Sequence, residues 1–228
     1  MNKPFTVACV FVKGNYPYTL QYVVRLERMA RRYLLRPFRF VCLTDQAAAV
    51  RAAGIEPIAV ARLDVEQAYW HKVHLFNPEH GLTGRVLFLD LDVLVVAALD
   101  PIVDHPAPFV ITADPPRDGQ AARDKFGRRI VRKFNSSVMA WAGGTHAHLF
   151  HDWSPAVADE LSGDQDWIGE QYPDAATLPA EWFPRISSIG ARGHIPEAAK
   201  VVLVKTPKNH LAAAQFPWFE PLWGGWAA

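Results

Sequence analysis

At 228 residues, half of them hydrophobic and 21% charged, the chain can bury a sizeable core and is not of disordered composition. Its formal charge of +1 gives no global electrostatic attraction to nucleic acid. Two cysteines, Cys9 and Cys42, lie in apolar runs and argue against a disulfide scaffold or a cysteine zinc site. No charged-then-apolar signal segment opens the chain and no apolar run is long enough to span a bilayer, so a soluble cytoplasmic protein is the expectation.

Phe5 to Val12 reads as a buried strand. It ends in Lys13-Gly14-Asn15-Tyr16-Pro17, a loop of the kind with which α/β proteins approach a nucleotide. Tyr18 to Leu35 has helical period, with Tyr22, Leu26, Met29, Ala30 and Tyr33 on one face. Arg25, Arg28, Arg32 and Arg36 fall elsewhere on it, as a solvated face or as a contact with an anionic membrane surface. Phe38 to Leu43 is a second strand followed by Thr44 and Asp45, Gln46 to Ala53 a short helix, and Ile55 to Val60 a third strand. This alternation predicts a mostly parallel sheet covered by helices, an α/β fold. Gln67 to Phe76 reads as a helix carrying His71, Lys72 and His74.

Val86 to Val96 then presents a continuous apolar run interrupted by Asp90 and Asp92. Burying an ionised carboxylate without a partner is costly, so two in such a run need a reason. At i and i+2 of a strand both point to one side, where they can converge on a divalent cation. The alternative is a strand that ends at Leu89, leaving both in a solvated loop. Phe109 to Thr112 is a further strand ending at Asp114. The basic stretch from Arg117 to Lys133 reads as a loop or exposed helix. Phe134 to Trp141 resumes strand character with Asn135, Ser136 and Ser137. Asp164-Gln165-Asp166 is placed to cap a helix start. Lys200 to Val204 is a last strand before Lys205, Lys208 and His210. In the tail, Trp218, Phe219, Trp223 and Trp226 suit a cover for the chain's own core, a contact with a second copy, a stack against an acceptor sugar, or a membrane-interface contact. The remaining histidines, together with His71 and His74, are expected on helix surfaces.

In their order these motifs resemble the family 8 retaining glycosyltransferases, the group that includes glycogenin and bacterial galactosyl- and glucosyltransferases. The likeness runs from Lys72 and Leu87-Phe88-Leu89-Asp90-Leu91-Asp92 through Asn135-Ser136-Ser137-Val138 and Asp164-Gln165-Asp166 to Leu178-Pro179 with Trp182. The resemblance implies a GT-A fold, a Rossmann-like domain over residues 1–228. Residues 1–114 would form its nucleotide-binding half, and residues 115–228 its sugar and acceptor half. It implies transfer of a hexose from a UDP-sugar, with retention, to a carbohydrate, lipid-linked or protein acceptor, assisted by Mn²⁺ or Mg²⁺ on Asp90 and Asp92. Lys13, Tyr16, Thr44 and Asp45 would meet the uridine, Lys72 would pair with the donor, and Asp114, Asn135 and Ser136 would hold the sugar. Asp164 and Gln165 would lie near the anomeric carbon, with Gln165 stabilising the oxocarbenium-like state.

Two departures bear on this. Ser137 replaces the family's glycine and adds bulk beside the sugar. The family's third metal ligand, a histidine before Lys-Pro, has no counterpart in Val202-Leu203-Val204-Lys205-Thr206; either His210, a few residues later, substitutes as a ligand, or Lys205 instead supplies positive charge directly to the diphosphate, with Lys208 a further donor-binding cation. A non-catalytic nucleotide- or sugar-binding relative is the alternative reading. A phosphatase using the Asp-x-Asp pair is weaker, because Val93-Leu94-Val95 follows Asp92 where that class carries Gly-Thr-Leu.

Overall fold

The computed structural model describes residues 5–14, 18–114, 122–131, 133–190, 193–204 and 216–223. Its centre is a seven-stranded sheet. In chain order the strands are β1 (Phe5–Phe11), β2 (Phe38–Thr44), β3 (Glu56–Ala59), β4 (Arg85–Leu89), β6 (Phe109–Ala113), β7 (Phe134–Ala142) and β8 (Ala176–Leu178), while β5 (Val93–Val95) lies outside it. In space they run β3-β2-β1-β4-β7-β6-β8. Only β7 runs against its neighbours; β1 pairs in parallel with β2 and β4, β2 with β3, and β6 with β8.

The central strands show no polar alternation because both faces of the sheet are covered. Phe5, Val7, Cys9 and Phe11 of β1, with Leu87 and Leu89 of β4, pack into one core against α1 (Leu20–Tyr33). Ala8 of β1, with Val86 and Phe88 of β4, packs into the other core around Trp70 and Trp141. Each fully buried large side chain here contributes roughly 1.5–3 kcal/mol of transfer free energy. Helix α1 buries Val23, Leu26, Met29 and Ala30. Arg25 of the helix stacks over Trp223 and Arg31 pairs with Glu27, while Arg36, beyond the helix end, pairs with Asp100 and Asp104.

The apolar run from Val86 is not one strand. β4 ends at Leu89, residues 90–92 turn, and β5 leaves to pair antiparallel with Val201–Leu203, the ninth strand β9. The strand thus ends at Leu89, but not into a solvated loop: Asp92 is 7% exposed and Asp90 is only partly exposed. The helix over residues 67–76 forms as a 3₁₀ helix, Ala68–Phe76, and it corrects the placing of His71 and His74 on a surface. Both are buried. His71 donates from Nδ1 to the Ala68 carbonyl and accepts from the Leu63 amide at Nε2. His74 donates from Nε2 to the Ala61 carbonyl. The rings thus tie residues 61–63 onto the helix, a tertiary role that helical period does not reveal.

The described part of the basic stretch is an anchored turn rather than a helix. Asp124 accepts from the amides of Phe126 and Arg128, from the Arg128 guanidinium and from Ser162 Oγ. In the tail, the helix Phe219–Trp223 buries Phe219 and Trp223 against the α1-side core. Those two rings therefore serve the fold, and Trp226 lies outside the described residues. No helix among the described residues is long and apolar enough to cross a membrane.

Candidate active site

The topology explains why distant residues meet. β4 and β6 both run antiparallel to β7, so they share a direction with β1 and β2. The residues following β4 and β6, Asp90 and Asp114, therefore reach the same sheet edge as the start of β7, where Asn135 and Ser136 sit. In open α/β sheets this edge is where ligands bind. A cavity of about 500 Å³ opens there, within the usual range for small-molecule sites. Lys72, Asp90, Asp92, Asp114, Asn135, Ser136, Asp164 and Gln165 all line it.

Lys72 is the hub. Its ammonium lies 2.9 Å from Asp90 Oδ1, donates to Ser136 Oγ at 3.0 Å and sits 3.6 Å from Asp164 Oδ2. Burial works against its charge, but Asp164, then Asp90 and Asp92, outweigh that and hold its pKa above the ordinary lysine value. The single charge of Lys72 thus faces carboxylates, so the lysine organises the acidic groups before any donor arrives. Asp164 is 5% exposed, and its Oδ2 accepts no hydrogen bond. Burial pushes its pKa up, with Lys72 and Ser136 pulling the other way.

Asp92 carries a different perturbation. Burial, then the neighbouring Asp90 charge, raises it to about 6, while Tyr18 and Lys72 oppose the shift. The Tyr18 hydroxyl donates to its Oδ2 at 2.7 Å. Asn135 gives its side-chain carbonyl to the Ser137 amide at 3.0 Å, which leaves the amide NH₂ as its donor. Ser137 itself lines the cavity.

Asp164 and Asp166 lie in the first turn of the helix Asp164–Gln171 but do not cap it; the N-cap is Gly163, with no side-chain bond. Asp164 instead faces Lys72, and Asp166 accepts from the Val131 amide at 2.8 Å, fastening the basic turn to the helix. Thr44, Asp45 and Lys13 are not part of the cavity wall. At the end of β2, Asp45 Oδ1 accepts from the Lys13 amide, and Thr44 Oγ1 accepts from the Gln46 amide. Tyr16, Lys205, Lys208 and His210 lie outside the described residues.

Arg185 and Tyr18 are among the cavity residues that sequence patterns do not single out. Arg185 pairs with Asp114 and lines the cavity, yet Phe183-Pro184-Arg185 carries no motif that would single it out. Tyr18 falls within the helical period of the sequence, but the helix begins at Leu20 and leaves Tyr18 in the preceding loop. Oxygen ligands for a hard cation are offered by Asp90 and Asp92. No cluster of three or more His, Cys, Asp or Glu able to hold a metal occurs among the described residues.

This fold is that of the GT-A glycosyltransferases. No sequence-family profile matches the chain, and no curated protein sequence matches it at a significant level. Solved structures do. Galactosyltransferase LgtC, in complex with donor and acceptor sugar analogues, superposes with a TM-score of 0.68 at 16% identity, over 98% of this chain and 97% of LgtC. Apo glycosyltransferase GlyE of Streptococcus pneumoniae TIGR4 gives 0.58 at 13% identity, over 88% of this chain and 54% of GlyE. The bifunctional glycosyltransferase WbbM gives 0.56 at 13% identity, over 97% of this chain and 51% of WbbM. The chain therefore spans nearly all of LgtC and about half of the other two.

Proposed function

We propose that the chain is a glycosyltransferase of the family 8 kind, moving a hexose from a UDP-sugar to a carbohydrate, lipid-linked or protein acceptor with retention. The observation that carries this reading is the meeting of Asp90, Asp92, Asn135 and Asp164 at the strand ends, in the fold of LgtC, which has been seen with donor and acceptor sugar analogues.

The acidic groups fit a hard divalent cation such as Mn²⁺ or Mg²⁺. The cavity is lined by five aspartates against one lysine and one arginine. Asp92, desolvated beside the Asp90 charge, is the group a cation would relieve. Asp90 and Asp92 would hold it, with His210 as a further ligand. When bound, the cation supplies Lewis-acid stabilisation of the charge that develops on the UDP diphosphate.

The remaining roles belong to the chain. Lys72 holds Asp90 and Asp164 in place by pairing with both. Asp114, oriented by Arg185, and the Asn135 NH₂ hold sugar hydroxyls, so that the ring presents one face to the acceptor. Gln165 lies beside Asp164 to stabilise positive charge at the anomeric carbon, and the acceptor hydroxyl approaches from the side the diphosphate leaves. Lys13, Thr44 and Asp45, at the strand ends outside the cavity wall, would meet the uridine together with Tyr16, and Lys205 and Lys208 would add positive charge for the diphosphate.

Turnover is tested by incubating the protein with UDP-glucose or UDP-galactose and Mn²⁺ and measuring UDP release. Slow hydrolysis of either sugar is expected, with loss on Asp92→Asn. Tight UDP binding without release from any UDP-hexose would favour a non-catalytic binding protein. Ser137, a bulkier residue than glycine in the cavity wall, is the observation that favours that second reading.

A further inference from the structure

The two aspartates of the turn after β4 are held by chemically different partners. Asp90 is neutralised by the Lys72 ammonium at 2.9 Å. Asp92, 7% exposed, accepts from the neutral phenol of Tyr18 at 2.7 Å. A second ammonium in that place would leave a cation no uncompensated carboxylate at this turn. A phenol fixes the same carboxylate while leaving its charge intact, since a tyrosine hydroxyl stays protonated near neutral pH.

The phenol is itself braced. Tyr18 meets Tyr22 edge-on, with ring centroids 5.1 Å apart, and Tyr22 meets Trp223 edge-on at 5.5 Å. Trp223 stacks on Phe219 at 5.8 Å, and both are buried. A chain of aromatic contacts thus runs from the C-terminal helix to the oxygen of Asp92.

We infer that Tyr18 is a positioning residue for the cation site: its hydroxyl orients the Asp92 carboxylate through Oδ2 and leaves Oδ1 as the ligand atom. This rests on the metal-assisted reading of the site. The aromatic segment at the C-terminus then has a second use besides covering the core, because it keeps the Tyr18 ring from swinging away from Asp92. Partners of this kind, behind a metal ligand, commonly matter 10–100-fold in metal affinity.

Tyr18→Phe removes one oxygen and keeps the ring packing. UDP binding is measured by calorimetry in Mn²⁺ and in EDTA for wild type, Tyr18→Phe, Tyr22→Phe, Asp92→Asn and the Tyr18→Phe/Asp92→Asn double variant. Tyr18→Phe is expected to weaken Mn²⁺-dependent binding about tenfold or more and to leave binding in EDTA within about twofold. Tyr22→Phe should match wild type, and the double variant should match Asp92→Asn. Unchanged affinity of Tyr18→Phe in Mn²⁺ would overturn the inference. So would equal weakening in EDTA, which would mean that Tyr18 touches the nucleotide itself, or a Tyr22→Phe loss as large as that of Tyr18→Phe. A wild type whose UDP binding ignores Mn²⁺ removes the metal-assisted reading and this inference with it. A wild type that needs Mn²⁺, with Tyr18→Phe its equal, removes the inference alone.

Discussion

Replacing Lys72 with methionine keeps the length of the side chain and removes the one charge that Asp90 and Asp164 share. The Lys72 side chain is 10% exposed, that of Asp164 7% and that of Asp90 20%. Both carboxylates would then be left in a largely desolvated site with Asp92 nearby. Breaking a buried pair from one side costs about 3–5 kcal/mol, chiefly from the uncompensated charge that remains. At about 2–4 °C per kcal/mol for a chain of this size, the melting temperature should fall by roughly 6–20 °C at pH 7.5. The loss has a defined pH dependence. Burial already raises the folded-state pKa of Asp164 above its ordinary value, and removing the ammonium that opposes this raises it further. The folded variant then binds more protons than the unfolded chain between the ordinary and the raised value, and it recovers stability as pH falls toward 5. Thermal unfolding of wild type and variant at pH 7.5, 6 and 5 reads this directly. A fall of less than about 2 °C that does not vary with pH would refute the reasoning, because it would mean that water already solvates these carboxylates.

Other outcomes follow from the same structure. His74 is buried neutral, with its pKa lowered to about 4 by burial, so stability is complete above the unfolded value and is lost as pH falls toward 4. This should amount to about 2 kcal/mol between pH 7.5 and 5; His74→Phe should flatten that part of the urea-derived slope, and an identical slope would contradict it. Asp92→Asn removes a carboxylate whose pKa is raised to about 6, so above that pH the metal-free protein should gain on the order of 1–2 kcal/mol; a loss of stability at pH 7.5 would show that the carboxylate is not under strain. Gly143→Ala puts a Cβ 2.3 Å from the Leu82 carbonyl oxygen, where backbone must move. It should cost at least about 2 kcal/mol, and unchanged chemical denaturation would show that the Leu82 loop yields freely.

The sheet was legible in the sequence because its central strands are covered on both faces. Phe5–Phe11, Phe38–Thr44 and Phe134–Ala142 therefore stand out as apolar runs between polar loops. Asp90 and Asp92 were legible for the opposite reason, as charged residues interrupting an apolar run, whereas Asp164 stood out only as a helix-start residue and through the ordered resemblance. Less visible was the break within Val86–Val96. Leu91 and Val93 to Val95 continue the apolar run although they belong to a turn and to a second sheet, and hydrophobicity does not distinguish one buried environment from another. The partners of the acidic groups were hidden too. Tyr18 is 74 positions from Asp92 and Arg185 is 71 positions from Asp114, and each pair is created by sheet topology alone. His71 and His74 look like the polar face of a helix until the loop at residues 61–63 is folded over them.

The central claim is that Asp90 and Asp92 form a cation-dependent UDP site. Calorimetric titration of UDP into the wild-type protein, in Mn²⁺ and then in EDTA, with Asp92→Asn alongside, tests it most directly. The account predicts binding by wild type that is strengthened by Mn²⁺, reduced by EDTA and indifferent to Mn²⁺ in Asp92→Asn. Absence of UDP binding by wild type, or binding that neither EDTA nor Asp92→Asn alters, would contradict it.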